Sequence, residues 1–398
     1  MSSRCRRRPY SRLNEGLIAM NEYEIFRLLW WALLGVLLIG LAVMDGFDLG
    51  TGILLPFIGK NDAERRVVIN TVGPVWEGNQ VWLILGAGAI FAAWPMLYAV
   101  AFSGFYAAML LLLFALFLRP VGFTYRSKLQ SPRWRGFWDW ALFAGGLVPA
   151  LVYGVAFGNV LQGVPFSFDY VLRMTYSGSL LGLFNPFALL CGAVSVAMLT
   201  MHGAAFIACK TEAEIRHRAQ RAGMLAGGIT VGLFAIGGLW ASRLNFYVLG
   251  NFAGTNGPSN MLLKQVSRLP GALLHNYHAI PSLALVPALG FVGALAAIAL
   301  FRIARFPHLA FIASGLSVAG IIGTAGVSLF PFMLPSSSDP SASLIIWDTS
   351  SSLLTLQIMT GAAVIFLPLI IIYTSWVYYM LRGPVTLATI KRDDHTAY

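Results

Sequence analysis

Charge is scarce in this chain. Asp, Glu, Lys and Arg make up 11% of its 398 residues, against about 25% in an ordinary soluble domain. A water-facing surface must be covered with charge, whereas a lipid-facing one needs none. Cysteine is scarcer still. Cys5, Cys191 and Cys209 are odd in number and form no Cys-x-x-Cys pair, which argues against a disulfide framework or a zinc site. Cys191 and Cys209 read as small apolar residues within helices. Acid-rich metal motifs, a Gly-x-Gly-x-x-Gly loop and a phosphate-cradling P-loop are also missing, so nothing points to nucleotide-driven transport.

Hydrophobic residues are abundant, at 58% with a mean hydropathy of +0.73. A net charge of +11 raises nucleic acid as a partner. The basic residues lie between apolar runs, however, and form no folded basic face, so no nucleic acid is expected.

About 20 apolar residues are needed to cross a bilayer. The sequence offers Leu28–Met44, extended by Asp45–Gly50, and then Gly78–Leu118, too long for one crossing. Pro95 ends a helix there, and Trp94 and Tyr98 suit a membrane interface, so the stretch counts as two spans. Trp140–Phe157, Ser179–Phe206, Ala222–Ser242, Ile280–Phe301, Leu309–Phe330 and Leu353–Met380 complete nine. The long connection Arg243–Ala279 is expected to hold short surface structure. The expectation is an all-α polytopic membrane protein: one membrane domain over 20–398, preceded by an extension over 1–19.

Basic residues set the expected topology. Seventeen follow the odd-numbered spans, from Lys60 to Arg392, and five follow the even-numbered ones or precede span one (Arg27, Arg173, Arg243, Lys264, Arg268). The richer side is expected to be cytoplasmic, with the amino terminus outside and the carboxyl terminus inside. Residues 1–19 disagree, since they place Arg4, Arg6, Arg7, Arg8 and Arg12 outside and lack a signal-peptide core. Translation starting at Met20 would remove the conflict.

Ionisable groups in spans are costly and usually retained for a reason. Asp45 and Asp48 lie at i and i+3, on one helix face. Gly46 and Gly50 have the small-xxx-small spacing that admits a neighbouring helix. Glu77, after Trp76, opens span two, where the helix dipole favours an acid. Arg119 ends span three. All fall on the same expected side, and Asp45, Asp48, Glu77 and Arg119 can form one buried polar site if the helices are neighbours. One reading is a structural ion-pair network, with Arg119 paired to Asp48. The other is a proton uptake point. Spacing does not separate them. A buried b-type haem needs axial ligands within helices. Of six histidines only His202 lies near a span, and it reads as structural or interfacial.

The ordered segments Trp30-Trp31, Asp45-Gly-Phe-Asp-Leu-Gly50, Asn61–Arg66, Trp76–Trp82, Phe91–Pro95, Phe102–Tyr106, Arg119–Phe123, Tyr125–Lys128, Gly158-Asn159, Gln162-Gly163, Asn185-Pro186, Phe330–Phe332, Pro335–Ser337, Trp347-Asp348 and Ser351-Ser352 resemble subunit II of the cytochrome bd-type quinol oxidases. The resemblance runs from about Tyr23 to the carboxyl end. It implies two four-helix bundles plus a peripheral helix, in the respiratory chain of a bacterial inner membrane. It implies a heterodimer with subunit I, which carries two b-type haems and one d-type haem and oxidises quinol, and no haem held by this chain alone. A bound quinone, a small third subunit and the lipid contacts stay open. The resemblance also implies a cytoplasmic proton route through this subunit. Glu77 would be its uptake acid, where many members have Asp, Asp48 and Arg119 would hold its surroundings, Trp76 would pack the site, and Asp45 would be a further candidate. A proton- or solute-coupled transporter and a purely structural scaffold are the rivals.

Overall fold

The structure is a computed structural model that describes residues 21–386, 388 and 390. The extension over 1–19 and the start at Met20 lie outside the described residues. Helix α1, Glu22–Ile58, begins where the Asn21 side chain accepts the Tyr23 amide and places Glu22 and Glu24 in its first turn, both favourable at a helix start. Helix α2, Asp62–Val72, starts the same way, with Asn61 accepting from the Glu64 amide. Next come α3 (Trp76–Ala93), α4 (Pro95–Gly104), α5 (Tyr106–Tyr125) and α6 (Pro132–Gln162). The hairpin β1 (Phe166–Phe168) and β2 (Met174–Tyr176) leads to α7 (Pro186–Lys210) and α8 (Ala213–Ala241). A second hairpin, β3 (Asn245–Phe252) and β4 (Lys264–Pro270), and the one-turn α9 (His275–Ala279) precede α10 (Leu285–Ile303) and α11 (Pro307–Leu329). Strands β5 (Phe332–Leu334) and β6 (Leu344–Ile345) precede α12 (Leu353–Met380).

Among the described residues, eight helices are long and apolar enough to cross a membrane, and Pro95–Gly104 is a shorter apolar helix. The expected second span, α3, is not among the eight. Its 18 residues begin with Trp-Glu-Gly-Asn-Gln, which lowers its apolarity. It nevertheless reaches from Asp48, which Asn79 near its start touches, to the loop before α12, where Ala93 at its end accepts the Ser351 amide.

Helices α1, α3, α5 and α6 form one bundle, and α7, α8, α10 and α11 a second. Helix α12 leans on α1 and α3 from outside, and only its Leu356 is fully buried. The bundles meet where α1 crosses α7 with almost no side chain between them. A Cβ on Gly50 would lie 2.0 Å from the Leu199 carbonyl oxygen, and one on Gly203 would lie 2.4 Å from the Gly50 carbonyl carbon. Only glycine allows that approach.

The three antiparallel strand pairs of the described residues cap one end of the bundles, the sheet-bearing end. Arg27 is fully buried there. It donates to Ser350 Oγ, to the Thr255 and Gly257 carbonyls and to Ser259 Oγ, and lies over the Tyr23 ring. Lys264 meets Asp348 at 2.5 Å. Burial pulls the Lys264 ammonium down and pushes the Asp348 carboxyl up, and their contact opposes both shifts. The connection over 243–279 thus holds a hairpin and a helical turn. Trp94 departs from expectation. Instead of lying at a membrane interface it is fully buried, and its indole N–H donates to the Ile346 carbonyl at 3.3 Å, because the loop before α12 folds over it.

The opposite end, the basic rim, gathers the cations that follow α1, α5, α7, α10 and α12. Helix α2 lies across it, held by ion pairs. Arg126 meets Asp139 at 2.5 Å and Asp62 at 2.9 Å, Arg65 meets Asp139 at 2.8 Å, Arg135 meets Asp62 at 2.5 Å, and Arg218 meets Glu64 at 2.9 Å.

Candidate functional site: a buried acid pair near the basic rim

Asp45 and Asp48 project from adjacent turns of α1 and are both buried, 0% and 3% exposed. Arg119 of α5, equally buried, bonds Asp45 Oδ1 through Nη1 at 2.7 Å, and its Nη2 lies 3.6 Å from Asp48 Oδ2. Asp45 is therefore the close partner, where Asp48 was expected. Arg119 stands six residues, nearly two turns, before the end of α5.

Helix α3 supplies the other wall. Asn79 donates its amide to Asp48 Oδ2 at 2.9 Å and accepts the Tyr378 hydroxyl of α12 at 2.8 Å. Trp76, one turn earlier and 6% exposed, packs on Phe123 at 5.3 Å between ring centroids. The Arg119 guanidinium carbon lies 5.9 Å from the Trp76 ring centre. Trp76 and Asn79 share a face at i and i+3.

Glu77 does not join the cluster. It follows Trp76 by one position, which on a helix turns its side chain about 100° away, and it is exposed. The four-residue site expected from the sequence is a three-residue buried cluster, Asp45, Asp48 and Arg119, with Trp76 against it and Glu77 outside on the same helix turn. Asn79 and Tyr378 were missed. Asn79 sits at i+3 from Trp76 and was legible in principle. Tyr378 is contributed from 299 positions away, and no local pattern announces it.

The cluster contains two carboxyls and one guanidinium. With all three ionised it holds one negative charge in excess, buried among apolar helices. Such a charge is costly unless paired, and one proton shared by the two acids makes the cluster neutral. Asp45 Oδ2, Asp48 Oδ1, Arg119 Nη2 and the nearby Tyr153 hydroxyl have no hydrogen-bond partner among the described residues. The geometry can hold, accept and release a proton.

His202 lies inside α7 and is fully buried, not interfacial. Its Nδ1 pairs with Ser314 Oγ at 2.8 Å and its Nε2 with the Val43 carbonyl at 3.0 Å, and the ring stacks on Phe311 at 4.6 Å. Both nitrogens are engaged, so the residue serves packing between the bundles.

The family model described as cytochrome bd terminal oxidase subunit II matches residues 26–381. The chain is 49% identical over 380 residues to cytochrome bd-I ubiquinol oxidase subunit 2 of Escherichia coli K12, covering 95% of this chain and 100% of that one. It is 32% identical over 359 residues to cytochrome bd ubiquinol oxidase subunit 2 of Bacillus subtilis, covering 90% and 96%. In fold it resembles a chain of the bd oxidase structure from Geobacillus thermodenitrificans, with a TM-score of 0.62 at 16% identity over 90% of this chain and 98% of that one. These matches give the transporter reading no support. A multi-pass chain with two bundles, an outlying helix and a buried acid pair, matched across almost its whole length, belongs to the cytochrome bd terminal oxidase subunit II family.

Proposed function

We propose that this chain pairs with a haem-bearing subunit I to form a quinol:oxygen oxidoreductase, and that its basic rim takes up the protons consumed there. The partner would carry the b- and d-type haems and the quinol site. Engagement of both His202 nitrogens fits a chain that leaves haem ligation to its partner. Reducing oxygen to water consumes protons, and a hydrocarbon layer supplies none without a polar path. The excess of basic residues at the rim supports a cytoplasmic location for that end, with the amino terminus outside.

The observation that carries the proton role is the Asp45–Asp48–Arg119 cluster, buried and one proton short of neutrality. Glu77 stands beside it on the exposed face of α3, where a carboxylate gathers protons. Asn79 and Trp76 close the gap between surface and cluster. The test is Glu77→Gln in the purified two-subunit complex. Quinol-driven oxygen consumption should fall by roughly tenfold or more, while the haem bands in a redox difference spectrum persist. Full turnover with an intact complex removes Glu77 from the path.

The bonding of Arg119 to Asp45 also fits a second reading, a scaffold that braces subunit I. Loss of the haem bands together with turnover in that variant would favour it.

A further inference from the structure

A small pocket lies between α2 and the acid pair. Its floor is polar, made by Asp48, Thr51 and Arg119, and its roof is the apolar underside of α2, Val68, Ile69 and Val72. About 10 Å³ is open to the centre of a water molecule, close to the minimum that holds one water. Thr51 is 2% exposed and follows Asp48 by three positions, on the same face of α1. The floor presents three buried polar atoms that have no hydrogen-bond partner among the described residues: Asp48 Oδ1, Thr51 Oγ1 and Arg119 Nη2. A threonine hydroxyl inside a helix commonly bonds the carbonyl one turn earlier. Thr200, Thr211 and Thr230 in this protein do so, and Thr51 does not.

We propose that this pocket is a water site and that Thr51 is a positioning residue for proton delivery to Asp48. The inference rests on the proton-uptake reading above. One water here accepts from Arg119 Nη2, donates to Asp48 Oδ1, and is fixed by the Thr51 hydroxyl. A proton arriving on that water passes to the Asp48 carboxylate, leaving a neutral acid and a neutral water. No electron moves and no other reactant is needed. The apolar roof keeps the site narrow, so a single ordered water orients the transfer. The ion pairs of Asp62, Glu64 and Arg65 hold that roof in place.

The experiment uses the purified complex with Thr51→Val, which keeps the shape and removes the hydroxyl, beside Thr51→Ser, which keeps the hydroxyl. Thr51→Val should slow oxygen consumption several-fold and raise the solvent deuterium isotope effect, with haem bands unchanged. Thr51→Ser should behave as the parent. Parent-like turnover in Thr51→Val, or slowing without a change in isotope effect, overturns the relay. Should Thr51→Val not assemble, high-resolution density of the parent complex decides. A water within about 3.2 Å of Asp48 Oδ1 and Thr51 Oγ1 supports the proposal, and a dry pocket overturns it. Glu77→Gln run alongside separates the two claims. If it slows turnover and Thr51→Val does not, the relay falls and proton uptake at the rim stands. If neither variant slows turnover, both fall.

Discussion

Asn79 donates its side-chain amide to Asp48 across 2.9 Å and so ties α3 to α1 at the buried acid pair. Its carbonyl accepts the Tyr378 hydroxyl at 2.8 Å, and this bond fastens the outlying α12 to the same point. Tyr378→Phe removes one bond and should cost about 1 kcal/mol. Asn79→Leu strands a buried carboxylate oxygen and should cost about 1–3 kcal/mol. Thermal unfolding of the purified complex ranks the two. An Asn79→Leu complex no less stable than Tyr378→Phe would contradict this arrangement.

Arg119 is the only cation that meets Asp45 or Asp48 among the described ion pairs. Arg119→Met leaves two buried acids without a positive partner and should destabilise by about 3–5 kcal/mol. Adding Asp45→Asn to that variant removes one of the stranded charges and should recover part of the loss. The yield of assembled complex and its unfolding temperature report both steps. A double variant no better than the single one would mean that Asp45 is not the acid Arg119 compensates.

The docking of α2 should depend on pH through Glu64. Its hydrogen bond to Arg218 holds the carboxyl below its ordinary value of 4.5. A folded-state value below the unfolded one means that folding favours the ionised form. The contribution is therefore fully present above about pH 4.5 and is lost as the pH falls through the folded value. Hydrogen exchange at the α2 amides, corrected for the intrinsic pH dependence, should be well protected at pH 7 and less so at pH 4. Glu64→Gln should abolish that difference.

Much of the architecture was legible because it follows from local chemistry. Pro95 ends α3 as its missing N–H requires, and the apolar runs coincide with helices, although their expected bounds miss the helix ends by up to nine residues. Asp45 and Asp48 share a face because three residues make nearly one turn. Gly46 and Gly50 both face Leu199 of α7, as small-xxx-small spacing suggests. The failures are of two kinds. Facing was misjudged in α3, whose opening polar residues Glu77, Asn79 and Gln80 spread round the helix. Nothing in α3 distinguishes an inward side, so the outward turn of Glu77 could not be read. Distant partners were invisible. Trp94 is buried by Ile346, and Asp139 is paired by Arg126 and Arg65; these pairings exist only once the chain has folded.

Helix α1 also serves as a ruler. Arg27 is clasped in the loops of the sheet-bearing end, and Asp48 lies 21 residues further along, about 31 Å at 1.5 Å per residue. A bilayer's hydrocarbon core is about 30 Å thick. If the loops that clasp Arg27 mark one boundary of that core, Asp48 stands at the other and not at its middle. On the proton-uptake reading proposed above, a proton reaching Asp48 from the basic rim would cross little of the transmembrane electric field, and the voltage generated would arise beyond Asp48, along the rest of the path.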